Sequence, residues 1–474
     1  MENPKRLANP PETRFSCCFA AFFPFRESKA EFAGRIGTGF AFLSCHFGWF
    51  PHPQSRQRGR CHAFQECLRR RRSRAAVVFS AAFQPAEAAT TTYTGAFSTP
   101  ATINAGDTAL LNNGATVTGA GVITTNGTFQ VNQTATTLSF GNTISGTGTF
   151  SVTNTGTVNL TGATRTLDLT TSVSAGRLSI GSVSGNGTLR VGDTGTGTLN
   201  VSGGLVSNSI GTLGNSASGF GSATVSSGTW ASGASLTVGS SGTGSLTVNG
   251  GRVSNSIATL GSAARSFGSA MVSSGTWASS GDLTVGNSGT GSLTVNGGYV
   301  SNSTATLGSG AGSFGSATVS SGTWATSSFL HVGSSGTGSL IVNGSGYVSA
   351  GGVYVGNSST GTGSVTVTSG TLAASGMTVS GRGVVLINGG YIDGLAGGPN
   401  NISFGSGAGD NSSITSITVQ SGTLNGGVTQ VSGSTAFVMS GGYISGGVIL
   451  LANSAGTITG GTVGGGLVSE GHSR

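Results

Sequence analysis

From about residue 90 onward the chain is written in short runs that alternate hydrophobic and polar positions. Leu236-Thr237-Val238, Leu246-Thr247-Val248, Ala258-Thr259-Leu260 and Leu283-Thr284-Val285 are four of them. Successive side chains of an extended strand point to opposite faces, so the two aliphatics of each run share one face and the threonine takes the other. Each run ends at Gly or Asn-Gly, residues that accept the positive φ of a sharp corner. The pattern predicts short strands joined by tight corners.

The runs recur in register. Trp230, Trp277 and Trp324 are spaced by 47 residues, and Phe220, Phe267 and Phe314 keep the same step, as do Asn208, Asn255 and Asn302. Leu199, Leu246, Leu293 and Leu340 carry it through four copies. A flexible Gly/Ser linker has no reason to hold its large residues in phase, so the phase indicates a fold. Each unit divides again: Ser245–Gly251, with Asn249 before its closing glycines, resembles Ser222–Gly228, 23 residues earlier, and the next copy starts at Ser269, 24 residues later. Asn296 and Asn343 hold the place of Asn249 in later copies. About two dozen residues make one coil of a parallel β-helix or one leucine-rich-repeat turn. The latter needs a Leu/Asn lattice and usually a helical side, which this sequence lacks. The expected fold is therefore all-β, a parallel β-helix with Leu and Val inside and rows of Thr and Ser outside. Roughly sixteen coils about 4.8 Å apart would make a rod of about 80 Å.

Sibling coils compensate in size. Where one has Leu246 and Val253, the preceding one has Ala223 and Trp230 at the aligned positions. A small residue matched to a large one points to a shared interior, which places the tryptophans inside. The rival placement is an outward aromatic ladder for sugar or partner contact. The repeat is strict over about residues 187–363 and looser on both sides. Residues 95–186 keep Thr/Val alternation, and after an extra residue near Ser345 shorter coils such as Val365-Thr366-Val367 and Ile417-Thr418-Val419 continue. The expected organisation is an N-terminal extension (1–68), a signal-peptide-like segment (69–88), irregular coils (89–186), regular 47-residue repeats (187–370), and irregular coils with a Gly-rich end (371–474).

Composition separates the extension from the body. The chain has 87 glycines and only 7% charged residues. All of the net charge of +8 falls in residues 1–88, with 14 Lys/Arg against 6 acids, while residues 89–474 balance 7 Arg against 7 acids without any Lys. A neutral body has no electrostatic footprint for phosphate or an anionic membrane, which argues against a nucleic-acid partner. Cys17, Cys18, Cys45, Cys61 and Cys67 also precede the body. They match no zinc spacing apart from the loose Cys61–Cys67 pair around His62. A cysteine-free body fits export into an oxidising space.

Arg69–Arg72 and Arg74 form a basic run, Ala75–Phe83 an apolar stretch, and Ala86-Glu87-Ala88 a small-x-small site. That order matches a secretory signal peptide cleaved after Ala88 or nearby. The apolar stretch is too short to span a bilayer as a helix, so no transmembrane segment is expected. The alternative is an Arg-rich tail and an Ala-rich linker. Because a signal should begin a protein, residues 1–67 are expected to be a misassigned upstream extension.

Gly291-Ser292-Leu293-Thr294-Val295-Asn296-Gly297-Gly298 and Gly275-Thr276-Trp277 resemble the β-strand repeats of bacterial autotransporter passenger domains and related surface adhesins. The resemblance covers about residues 187–370 well and the rest of the body loosely, and its motifs are compositional. It implies a right-handed β-helix displayed outside the cell, often adhesive, with glycans or surface proteins as partners. Such passengers precede a translocator barrel, whereas this sequence is still Gly-rich at Glu470–Arg474. Outer-membrane attachment therefore does not follow, and either truncation or another export route is implied.

Chemistry has little to work with. Polysaccharide-active β-helices cluster carboxylates, often with Arg or Lys, on one face. The body has Asp107, Asp168, Asp193, Asp282, Asp393, Asp410 and Glu470. Asp168 and Asp193, 25 residues apart, are the best pair for adjacent coils, and two solvated surface acids are the commoner outcome. His331 replaces an outward threonine of the repeat and His472 lies near the end, so no Ser-His-acid arrangement stands out. Gly405–Asp410 is a faint echo of the calcium nonapeptide, which needs regular Asp. The expectation is a non-enzymatic protein without cofactor or metal. Ser245/Thr247 and Ser292/Thr294 also set hydroxyls in outward ranks, as a surface for ice or crystalline polysaccharide would; threonine is equally at home on any exposed strand.

Overall fold

A computed structural model describes residues 88–470, apart from 135, 162–163, 174, 182–184, 395–401, 405–414, 427, 433–434 and 452. The extension, nearly all of the signal-like segment, the cysteines with His62, Gly405–Asp410 and His472 lie outside the described residues. Every described element is a β-strand, and every described strand pairing is parallel. The body is a β-solenoid, the parallel β-helix that the alternating runs predict.

Each regular coil contributes three strand segments, one to each of three ladders. In one coil these are Phe220–Val225 and the two ends of Thr229–Val238, which pair forward with Thr243–Val248, Arg252–Asn255 and Ile257–Leu260. The first ladder can be followed from Thr90 to Ala455 through sixteen register steps, about 77 Å at ~4.8 Å per step. Between Ser222 and Ser339 the steps alternate 23 and 24 residues, which is the 47-residue repeat seen as two coils. The first four steps, from Thr90 to Thr170, take 18–21 residues each, whereas Thr170 to Thr198 takes 28 and Val384 to Ser416 takes 32. At Ser345 the extra residue falls in a corner, and the ladders continue in register past it.

The interior explains why the repeat needs two coils. On the first ladder Ala223, Leu246, Ala270, Leu293, Ala317 and Leu340 succeed one another inward. On the second, Trp230, Val253, Trp277, Val300, Trp324 and Val348 do so, all at 0–1% exposure. The third carries Leu236, Ala258, Leu283, Ala305 and Leu330. Coils of Ala, Trp and Leu therefore alternate with coils of Leu, Val and Ala, so that a large indole always has small neighbours above and below. A methyl group built on Gly211, the first of the small third-ladder positions, would sit 3.0 Å from the Trp230 ring. The tryptophans are thus inside, and the outward-ladder alternative for them fails.

A polar seam runs beside the indoles. Trp230, Trp277 and Trp324 donate from Nε1 to Oδ1 of Asn208, Asn255 and Asn302, each one coil back, at 2.8, 2.8 and 2.7 Å. Asn208 and Asn255 donate in turn from Nδ2 to Ser232 and Ser279 Oγ at 2.9 and 2.8 Å. Buried polar groups are tolerable when paired this way.

The asparagines of the Asn-Gly-Gly corners have a different role. Asn249 Oδ1 accepts from the Ser273 and Ser274 hydroxyls at 3.2 and 3.1 Å, and Asn296 Oδ1 from Ser321 at 3.0 Å, tying each corner to the next coil. The glycine after each is left-handed, with φ of 107° at Gly250 and 116° at Gly297. At Asn343 the inserted Ser345 reshapes the corner, and its Oδ1 is buried without a partner.

Candidate functional site

Three outward faces follow from the three ladders. On the first, Ser222, Ser245, Ser269, Ser292, Ser316, Ser339 and Ser364 form an unbroken column, one hydroxyl per coil. Two residues along, Thr224, Thr247, Thr294, Thr318 and Thr366 form a second rank interrupted by Met271 and Ile341. On the other flank Phe220, Phe267 and Phe314 alternate with threonines and are 56, 43 and 43% exposed. These phenylalanines are surface residues, whereas Leu246, Leu293 and Leu340 lie in the core.

The second face carries a longer aromatic column. Thr276, Tyr299, Thr323, Tyr347, Thr371, Tyr391, Thr423 and Tyr443 follow one another in register, with Arg252 ahead of them. Tyr299, Tyr347 and Tyr443 are 43, 39 and 43% exposed. The neighbouring outward column is small throughout: Ala231, Ser254, Ala278, Ser301, Ala325 and Ser349. The step in height leaves two shallow depressions of about 370 and 330 Å³, both lined by Ser279, Ser280 and Ser301, so they join end to end. Together they form an axial trough from Gly233 and Arg252 to Tyr299, Ala325 and Ser349. Asn302 lines it too. Its amide Nδ2 is buried without a partner, because the next coil offers Thr326 where earlier coils have serine.

The third face carries Thr212, Thr237, Thr259, Thr284 and Thr306 on consecutive coils, then His331 and Tyr354. His331 stacks on Tyr354 with ring centroids 5.0 Å apart and 14° between planes, and Phe329 meets both rings. Partial burial pushes the imidazole below its ordinary pKa, since protonation is disfavoured where water is excluded. Its Nδ1 has no hydrogen-bond partner.

The structure does bring Asp168 and Asp193 to adjacent coils, and it shows what they do there. Asp168 Oδ1 accepts the backbone N–H of Asp193 at 2.5 Å. Asp193 Oδ1 accepts from Asn215 Nδ2 at 2.6 Å, and its other oxygen lies 3.7 Å from Arg190. Both carboxylates cap successive corners. Asp107 likewise accepts the backbone N–H of Ala89, and Asp393 accepts from Asn425. Among the described residues no three His, Cys, Asp or Glu side chains gather where they could hold a metal ion, and no helix is long and apolar enough to cross a membrane.

No family model, no curated protein and no solved structure matches the chain.

Proposed function

We propose that the chain is a non-enzymatic extracellular or cell-surface repeat protein that works as an adhesin or matrix component. The supporting observation is the surface itself: the same side chain recurs coil after coil on a stiff scaffold, most plainly in the serine column from Ser222 to Ser364. Such a surface suits multivalent, repetitive partners, namely glycans or surface proteins, because each contact is weak and the register adds them. The resemblance to autotransporter passengers and the cysteine-free repeats support the location.

The competing reading is a polysaccharide lyase or hydrolase of the same fold. The pair best placed for that chemistry, Asp168 and Asp193, has carboxylate oxygens occupied by a corner amide and by Asn215. An ice-binding surface would want both hydroxyl ranks complete, and Met271 and Ile341 interrupt one of them. The test is to present the purified chain to an array of glycans and surface proteins and, in parallel, to pectin and alginate. Retention without release of new sugar ends is the expected outcome. Depolymerisation of either polymer would overturn the proposal.

A further inference from the structure

We propose that the axial trough of the second face holds one extended, uncharged polysaccharide chain lying parallel to the solenoid axis, with one sugar ring seated on Tyr299 in the trough wall and another on Tyr347, the next tyrosine of the same outward column. This rests on the adhesive reading and gives it a site and a ligand class.

Three features select the ligand. The first is spacing. Tyr299 and Tyr347 occupy one outward column two coils apart, about 9.6 Å at the usual strand spacing. That is close to the length of a disaccharide in an extended β-linked glycan, whose rings present the same face at every second residue. Phenol rings at this interval meet equivalent sugar faces each time, and Thr323 between them offers a hydroxyl to the intervening sugar. The second is charge. Arg252, at one end, is the only charged residue lining the trough, so a phosphodiester or polyuronate chain would find no row of cations.

The third is the shape of the floor. The small floor at Ser301 and Ala325 lets a flat chain approach closely enough.

The experiment is calorimetric titration of the full chain with β-1,4-linked gluco- and N-acetylgluco-oligosaccharides of two, four and six units, and with polygalacturonate. Affinity should rise at least tenfold from the disaccharide to the hexasaccharide of the preferred series as the second tyrosine is engaged. The exposed pair Tyr299→Ala/Tyr347→Ala should lose roughly tenfold or more for the hexasaccharide, with an unchanged melting curve. Phe220→Ala/Phe267→Ala, on another face, should bind as the parent does. If the parent binds glycans and the tyrosine variant binds equally, the trough is overturned and the adhesive reading stands. The same holds if only surface proteins are retained. Tighter binding of polygalacturonate overturns the uncharged ligand class. Cleavage of the oligosaccharides overturns both proposals.

Discussion

Trp277 donates its indole N–H to Asn255 Oδ1 at 2.8 Å, reaching from its own coil into the one before it. The bond shows why one coil cannot be the repeating unit: the tryptophan needs a differently equipped neighbour. Removing the acceptor strands the indole N–H and leaves the Ser279 hydroxyl without its donor. Asn255→Ala should therefore cost about 2–3 kcal/mol, in the range for orphaned buried polar groups. Asn302→Ala should cost less, because the Asn302 amide donor is already unpaired. Urea unfolding followed by tryptophan emission compares the two, and equal losses would contradict the seam as described.

The volume alternation gives a second test. Trp277→Val alone leaves a void that neighbouring coils cannot fill, at a cost of about 3 kcal/mol or more. Ala270→Leu alone overfills a coil that already holds the indole, at about 1–3 kcal/mol. Together they convert this coil toward the Leu/Val pattern of its siblings, so the pair should be less destabilising than the sum of the two. A double-mutant cycle in urea should return a favourable coupling of about 1 kcal/mol. Strict additivity would mean that these interior positions do not share space.

The strands and the interior were legible in the sequence because a period of two and a period of 47 survive in plain text. Matching Ala223 with Leu246 and Trp230 with Val253 was enough to put the tryptophans inside. The aromatic column of the second face was not legible. Tyr299, Tyr347, Tyr391 and Tyr443 are separated by 48, 44 and 52 residues, so they keep no sequence period at all. They align only because the ladder keeps its register across coils of unequal length. Asp168 and Asp193 fall between these cases. Their separation placed them on adjacent coils, but nothing in the sequence showed that each would be engaged in holding a corner.

Two glycines separate backbone conformation from crowding. Gly286 and Gly312 have nearly the same left-handed φ, 74° and 77°. A methyl group on Gly286 would lie 2.2 Å from the Phe314 carbonyl oxygen of the next coil, whereas one on Gly312 would meet nothing within 4 Å. Gly312→Ala should cost about 1–2 kcal/mol, the conformational penalty alone. Gly286→Ala carries that penalty and must also push two coils apart, so it should cost visibly more and shift the unfolding midpoint further. Similar midpoints for the two variants would mean that the corner yields easily to the extra atom.

His331 makes a pH dependence expected on one face. Its folded pKa lies below the ordinary histidine value because partial burial against Tyr354 disfavours the imidazolium. Well above pH 7, folded and unfolded chains are both neutral at this position, and the stacked arrangement keeps its full stability. As pH falls below the ordinary histidine value near 6.5, the unfolded chain takes up the proton first, and stability declines until the folded-state pKa is passed. His331→Thr restores the residue that Thr284 and Thr306 supply in earlier coils, and it removes the titration. The parent's melting temperature should thus fall between pH 7 and pH 5 by more than the variant's. An equal or smaller fall in the parent would mean that the imidazole takes up its proton without loss where it sits.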